Sequence, residues 1–239
     1  MPRRAPAWPS PPPLDLMKRP DRICGVLLDV DGTLVDSNDA HARAWEQAFR
    51  EHGYEVPYDR LRPLIGMGGD KILPLAANLE PDSIAGQLVS DQRQALFLHD
   101  HLPVLRPQRG ARQLVQRLRE RGVRLAVATS AKAEEIDGLL RVAGVDDLVD
   151  EVVTNTHAPA SKPEPDILHL ALERLRCPPG ETLMIGDTPY DIEAAARAGV
   201  ATIALRCGGF SNQDLAGAIA VYDDPEALAI DLDRVVTSG

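Results

Sequence analysis

No stretch of the 239 residues is long and apolar enough to be a membrane span. The arginines near the start, Arg3 and Arg4, are not followed by the apolar run that a secretory signal requires, so export is not expected. Cysteine is scarce. Cys24, Cys177 and Cys207 lie far apart with neither metal-ligand spacing nor a paired pattern, which predicts reduced thiols packed inside a cytoplasmic protein. Positive charge is also in deficit: 26 Lys and Arg against 36 Asp and Glu leave a formal charge of -10. That balance argues against non-specific binding to nucleic acid or to an anionic membrane. It leaves room for an acidic substrate where a metal and a few local cations reverse the field.

The first residues are unlike the rest. Pro2, Pro6, Pro9, Pro11, Pro12 and Pro13 deny the segment a helix or a sheet interior, so residues 1–16 are expected to be a disordered tail. Met17 is a candidate start, because patterned sequence follows it closely. Ile23 to Val30 is then a short, almost wholly apolar run, as a strand buried on both faces would be. Val123–Thr129, Leu148–Thr154, Thr182–Ile185 and Ala201–Leu205 repeat the pattern. Between them lie helical spacings at Gly110–Arg121, Glu134–Ala143, Asp166–Leu175 and Asp191–Ala198, three of them stopped by glycine. Alternation of this kind predicts an α/β fold, a doubly wound parallel Rossmann-like sheet, with ligands bound at the carboxyl ends of the strands.

One stretch breaks the alternation. From 36 to 103 the signal is helical throughout, with candidates at Asn38–His52, Asp59–Leu64, Lys71–Leu79 and Ser83–His101. It leaves and rejoins the core where strands meet the ligand-binding face, so it reads as an inserted all-helical cap domain. The core would then comprise 17–35 and 104–239.

The densest chemistry follows the first strand, at Asp29-Val30-Asp31-Gly32-Thr33. A match to Asp-x-Asp-Gly-Thr arises by chance about once in 50,000 positions, taking each of four fixed residues as roughly one in fifteen. A turn explains Gly32 but not two neighbouring carboxylates, which repel unless a cation or a shared proton separates them. Thr129 and Ser130 end the second strand and offer a hydroxyl and amides to phosphoryl oxygens, although an ordinary helix N-cap would use the same residues. Lys162, in Ser-Lys-Pro-Glu-Pro, is a cation on a loop stiffened by prolines, or else a solvated loop lysine. After the fourth strand, Asp187 and Asp191 present two acids at i and i+4, a set suited to a hard cation such as Mg2+.

Taken in order, these four motifs resemble those of the haloacid dehalogenase superfamily, in the branch of phosphatases and mutases with a helical cap after the first motif. The resemblance covers the chain from about Arg22 onward. It implies a cytoplasmic Mg2+-dependent phosphatase acting on a small phosphomonoester such as phosphoglycolate or a sugar phosphate, as a monomer or homodimer. It further implies that Asp29 is the nucleophile and a metal ligand, and that Asp31 is the general acid/base with its carbonyl on the metal. Thr129 and Ser130 would hold the phosphoryl group, Lys162 would neutralise nucleophile and phosphate, and Asp187 and Asp191 would complete the metal site. The second aspartate, absent from the superfamily's dehalogenases, favours phosphoryl transfer.

In the cap, His41-Ala42-Arg43-Ala44-Trp45 is similar to a signature of β-phosphoglucomutase-like proteins, where the histidine supports the general acid. A phosphosugar mutase is therefore the alternative, and plain packing of His41 on Trp45 another reading of the same residues. The turn Gly66-Met67-Gly68-Gly69-Asp70-Lys71 would dip Gly68 and Lys71 toward the substrate, or merely join two helices. It carries Asp70 and Lys71 where mutases usually place arginine and serine. A catalytically dead binding module is the third reading, opposed by the presence of all six core residues.

Overall fold

The computed structural model describes residue 20 and residues 22–235. The expected tail and Met17 lie outside them. Six parallel strands form one sheet: β1 Gly25–Leu28, β2 Arg124–Ala128, β3 Glu151–Val153, β4 Thr182–Gly186, β5 Ala201–Leu205 and β6 Ala220–Tyr222. Their spatial order is β3-β2-β1-β4-β5-β6, with Leu27 in register with Ala126 on one side and Met184 on the other. The chain thus winds outward from β1 in both directions, and the ends of β1 and its neighbours form the crevice where such sheets bind ligands.

Ten helices accompany the strands among the described residues: α1 Asn38–Glu51, α2 Tyr58–Leu61, α3 Gly69–Ala77, α4 Ile84–Leu96, α5 Ala111–Glu120, α6 Ala133–Ala143, α7 Asp166–Leu175, α8 Pro189–Arg197, α9 Pro225–Ile230 and α10 Leu232–Val235. Successive side chains of β1 point to opposite faces. Val26 and Leu28 join Leu114, Leu118, Leu139 and Leu228 on one face; Leu27 joins Leu168, Leu172 and Ala195 on the other. Both faces are therefore dry, which is why the strands read as continuous apolar runs and not as alternating ones.

Helices α1 to α4 form the cap, inserted between β1 and β2. Its apolar residues, including Trp45, Phe49, Leu73, Val89 and Phe97, continue the core of the first sheet face without a break. The chain enters and leaves it side by side: Asp36 N–H donates to the Arg106 carbonyl at 3.0 Å, and Gln108 N–H to that of Leu34 at 2.9 Å. Two expected helices are interrupted. The segment after α2 tightens into a 3-10 turn at Arg62–Leu64, where Pro63 has no amide to donate. Ser83 caps α4 through the Gly86 amide at 3.0 Å, but the helix widens into a π turn at Phe97–His101.

Two features differ from expectation. β6 and the two C-terminal helices were not foreseen, because a three-residue, half-buried edge strand carries too short a pattern. Cys24 and Cys177 are not reduced thiols. They form a disulfide with Cα atoms 5.8 Å apart, and only Cys207 is free. One residue precedes β1 and the other follows α7, 153 positions later, so nothing local betrays the pairing. No described helix is long and apolar enough to cross a membrane.

Candidate active site

Asp29 emerges where β1 ends, its amide donating to the Ile185 carbonyl at 2.9 Å. Lys162 is wholly buried, not solvated, and its ammonium donates to Asp29 Oδ1 at 2.6 Å and to Asp191 Oδ1 at 2.7 Å. The Asp191 side chain is aimed by a capping box: its Oδ2 accepts from the Thr188 amide at 3.0 Å and hydroxyl at 2.7 Å, while Pro189 opens α8. Asp187 is held by Thr33, whose hydroxyl donates at 2.7 Å, and by Asn38, whose amide donates at 2.8 Å.

Oxygens of Asp29, Asp187 and Asp191 lie within 4.8 Å of one another, all buried. Three ionised carboxylates and one ammonium would leave two negative charges in a buried site. The consequence is visible in their protonation. Burial, with the charges of Asp191 and Asp31 added and that of Lys162 opposing, pushes Asp29 up to about 7. Burial and the charges of Asp29 and Asp191 raise Asp187 well above the carboxylate range. Burial alone would lower Lys162, but Asp191 and Asp29 outweigh it and raise it.

The glycines here make room for carboxylates. Gly32 has φ +81, and a Cβ on it would overlap Asn38 and Asp187; one on Gly208 would overlap Asp187, and one on Gly186 would come within 2.5 Å of Asp191 Cγ. Gly208, in the stretch after β5, also accepts from Asn38 and Arg62 through its carbonyl.

Asp31 turns away from the three acids. Its Oδ1 accepts from the Ser37 hydroxyl at 2.5 Å and lies 2.8 Å from His41 Nε2. Burial would raise Asp31, but the charge and hydrogen bond of His41, with that of Ser37, hold it below the ordinary range. His41 is stacked on Phe97 with centroids 3.9 Å apart and planes 11° from parallel, so the π turn serves to bring that ring beneath it.

Between cap and core lies a cleft lined by Asp29, Asp31, His41, Trp45, Gly66, Gly68, Thr129 and Ser130 among others. Thr129 is not an N-cap: its hydroxyl accepts from the Ala131 amide at 3.0 Å, whereas Lys132 occupies the cap position of α6 without a side-chain bond. The glycine-rich turn does more than join helices. Gly68 N–H donates to Ser161 Oγ at 3.0 Å, beside Lys162, and a Cβ on Gly66 would meet Thr188 at 2.7 Å. Lys71 is placed aside, 3.8 Å from Asp70 and not on the cleft wall.

Several site residues escaped sequence reading: Ser37, Asn38, Phe97, Arg93 and Glu135. The last two also line the cleft. Arg93 and Glu135, on helices, read as ordinary charged positions.

The sequence profile of the haloacid dehalogenase-like hydrolases matches residues 26–205, and the chain belongs to that family. It is a hydrolase. Its relatives include the N-acetylmuramic acid 6-phosphate phosphatase of Pseudomonas aeruginosa, 30% identical over 90% of this chain and 97% of that one. The phosphoglycolate phosphatase of Nitrosospira multiformis is 31% identical over 83% and 90% respectively. A hydrolase from Pseudomonas syringae superposes with a TM-score of 0.83 at 27% identity, covering 89% of this chain and 99% of that structure.

Proposed function

We propose that the chain is a Mg2+-dependent phosphatase that hydrolyses small phosphomonoesters in two displacements through an aspartyl-phosphate on Asp29. The observation that carries this reading is the pairing of a buried carboxylate at the end of β1, on the cleft wall, with the buried ammonium of Lys162 behind it. A carboxylate approaching a phosphate dianion meets like-charge repulsion, so cations must gather the two.

The residues fit a hard divalent cation. Asp29, Asp187 and Asp191 supply an all-oxygen set whose excess of two negative charges such an ion would cancel. When bound, Mg2+ would stabilise negative charge on the transferring phosphoryl oxygens. The chain's own groups account for the rest. Lys162 keeps Asp29 oriented, and Thr129 with the amides after β2 receives the phosphoryl oxygens. Asp29 attacks phosphorus and the ester oxygen leaves. Asp31 and His41, in contact, hold a proton for that oxygen; Asp31 then takes one from the water that opens the acyl phosphate. Positioned acid–base help of this kind is worth about 10²–10⁴ in rate.

The test is phosphate release from a panel of phosphomonoesters with and without Mg2+. Turnover of some esters that stops on chelation supports the proposal; no release from any ester would sink it. Product analysis with β-glucose 1-phosphate and a catalytic bisphosphate separates the mutase: isomerised sugar phosphate in place of free phosphate would favour that alternative.

Metal binding should also depend on pH with a definite sign. Metal-free, Asp29 titrates near 7 when folded against 3.8 in its ordinary state, so the folded protein binds the extra proton. Stability of the metal-free protein therefore falls as pH rises from about 4 to about 7. Mg2+ displaces that proton, so its stabilising effect should grow over the same range. The thermal shift given by Mg2+ is expected to be larger at about pH 8 than at about pH 6; an equal or smaller shift would contradict the assignment.

A further inference from the structure

Three buried polar atoms on the cleft wall have no hydrogen-bond partner: Arg93 Nε, Glu135 Oε2 and Ser130 Oγ. Arg93 comes from cap helix α4 and Glu135 from core helix α6, and their side chains are 7% and 0% exposed. Arg93 Nη1 donates to Glu135 Oε1 at 2.6 Å, and the guanidinium lies over the Trp45 ring at 5.1 Å. The pair is thus oriented from two sides while a buried donor, Arg93 Nε, and a buried acceptor, Glu135 Oε2, remain unused. Buried polar groups are nearly always satisfied, so unsatisfied ones on residues that line a cleft call for a partner.

We infer that Arg93, Glu135 and Ser130 form the substrate-selecting subsite and that it takes the hydroxyl groups of a polyol or sugar phosphate, not a second anionic group. This rests on the phosphatase reading above. A hydroxyl both donates and accepts. It gives its proton to Glu135 Oε2 and receives the Arg93 Nε–H, and Ser130 plays either part. A carboxylate or second phosphate only accepts, so it would leave Glu135 Oε2 unpaired and place like charges together. The local charge points the same way. Arg93 is already matched by Glu135, and the nearby Lys132 lies 3.8 Å from Asp91. Lys71, the cation of the glycine-rich turn, lies 3.8 Å from Asp70 and off the wall. The remaining lining near the pair, Trp45 and Ile72, suits the C–H faces of such a substrate.

The test compares kcat/KM for sugar and polyol phosphates, phosphoglycolate, pyrophosphate and p-nitrophenyl phosphate, in wild type and Glu135→Gln. Wild type should prefer its best hydroxylated ester over phosphoglycolate and pyrophosphate by at least about tenfold, as a site built to pair hydroxyls rejects groups that cannot reciprocate. Glu135→Gln keeps the shape but leaves Arg93 with an unmatched positive charge. The hydroxylated-to-anionic ratio should then fall by about tenfold, chiefly through KM. A wild type that prefers phosphoglycolate or pyrophosphate overturns the inference. So does a variant in which all substrates fall together, which is what a merely structural clasp between cap and core would give. Release of p-nitrophenol by wild type keeps the phosphatase reading intact in either case; its absence, with no release from any other ester, would defeat both readings.

Discussion

Asp29→Asn will lower phosphate release by at least about 10⁴-fold, the scale seen when a nucleophile that works with its neighbours as a unit is removed. The carboxamide keeps the shape of Asp29 and an oxygen for the Lys162 ammonium, 2.6 Å away in the wild type. It lacks the anionic oxygen that attacks phosphorus in the proposed mechanism. Folding provides the internal control. Ionised Asp29 is costly in its buried site, since its pKa is pushed up to about 7. Above that pH the wild type carries the unfavourable charge and asparagine does not. The metal-free variant should therefore match or exceed the wild type in melting temperature at about pH 8, so that lost activity cannot be blamed on lost structure. A variant retaining more than about a hundredth of wild-type turnover would remove Asp29 from the nucleophile's role.

Lys162→Met will destabilise the protein by about 3–5 kcal/mol, the usual cost of removing one partner from a buried ion pair. In a domain of this size that corresponds to a fall in melting temperature of roughly 6–20 °C. Methionine fills the space but leaves Asp29 and Asp191 with no ammonium between them. The direction with pH follows from the groups left behind. Lys162 is raised by its two partners and stays charged across the ordinary range. In the wild type Asp29 is charged only above about 7, held down to that value by Lys162; without the ammonium the variant's Asp29 keeps its proton to higher pH, so the pairing it forgoes is largest above about 7. The deficit should be larger at about pH 8 than at about pH 5.5 by differential scanning calorimetry. A fall under about 2 °C at pH 8 would show that Lys162 does not balance these acids. Phosphate release should be lost as well, because the same ammonium orients Asp29.

Lys162 and Arg93 differ in how far the sequence singles them out. Lys162 lies in Ser-Lys-Pro-Glu-Pro, on the loop from β3 to α7; the pattern alone leaves it a solvated lysine or a fixed cation, and the resemblance singles it out. Asp29, Thr129 and Asp187 each directly follow a strand with a strong apolar run. Gly32 and Gly208 show the limit. Both are needed to leave room for Asp187, yet one is read from a motif and the other only from the overlap a Cβ would cause. Arg93 and Glu135 are 42 positions apart on two helices whose surfaces carry many charges. No periodicity separates a buried ion pair from solvated ones, and the disulfide between Cys24 and Cys177 was misread for the same reason.

What the amino-acid order determined by itself is the doubly wound sheet, the helical insertion after the first motif, and the set of carboxylates, hydroxyl and ammonium at the strand ends. These follow from patterns a few residues long, since hydrophobic period and turn chemistry act locally. The tertiary structure alone decided how those charges are distributed. It gathered three acids, set one ammonium against two of them, and left the group short of positive charge. It turned Asp31 toward His41, and it set an arginine from the cap against a glutamate from the core. Burial and distance control each of these, because electrostatic energies in a dry site depend on separations of a few ångströms between residues that the sequence keeps far apart.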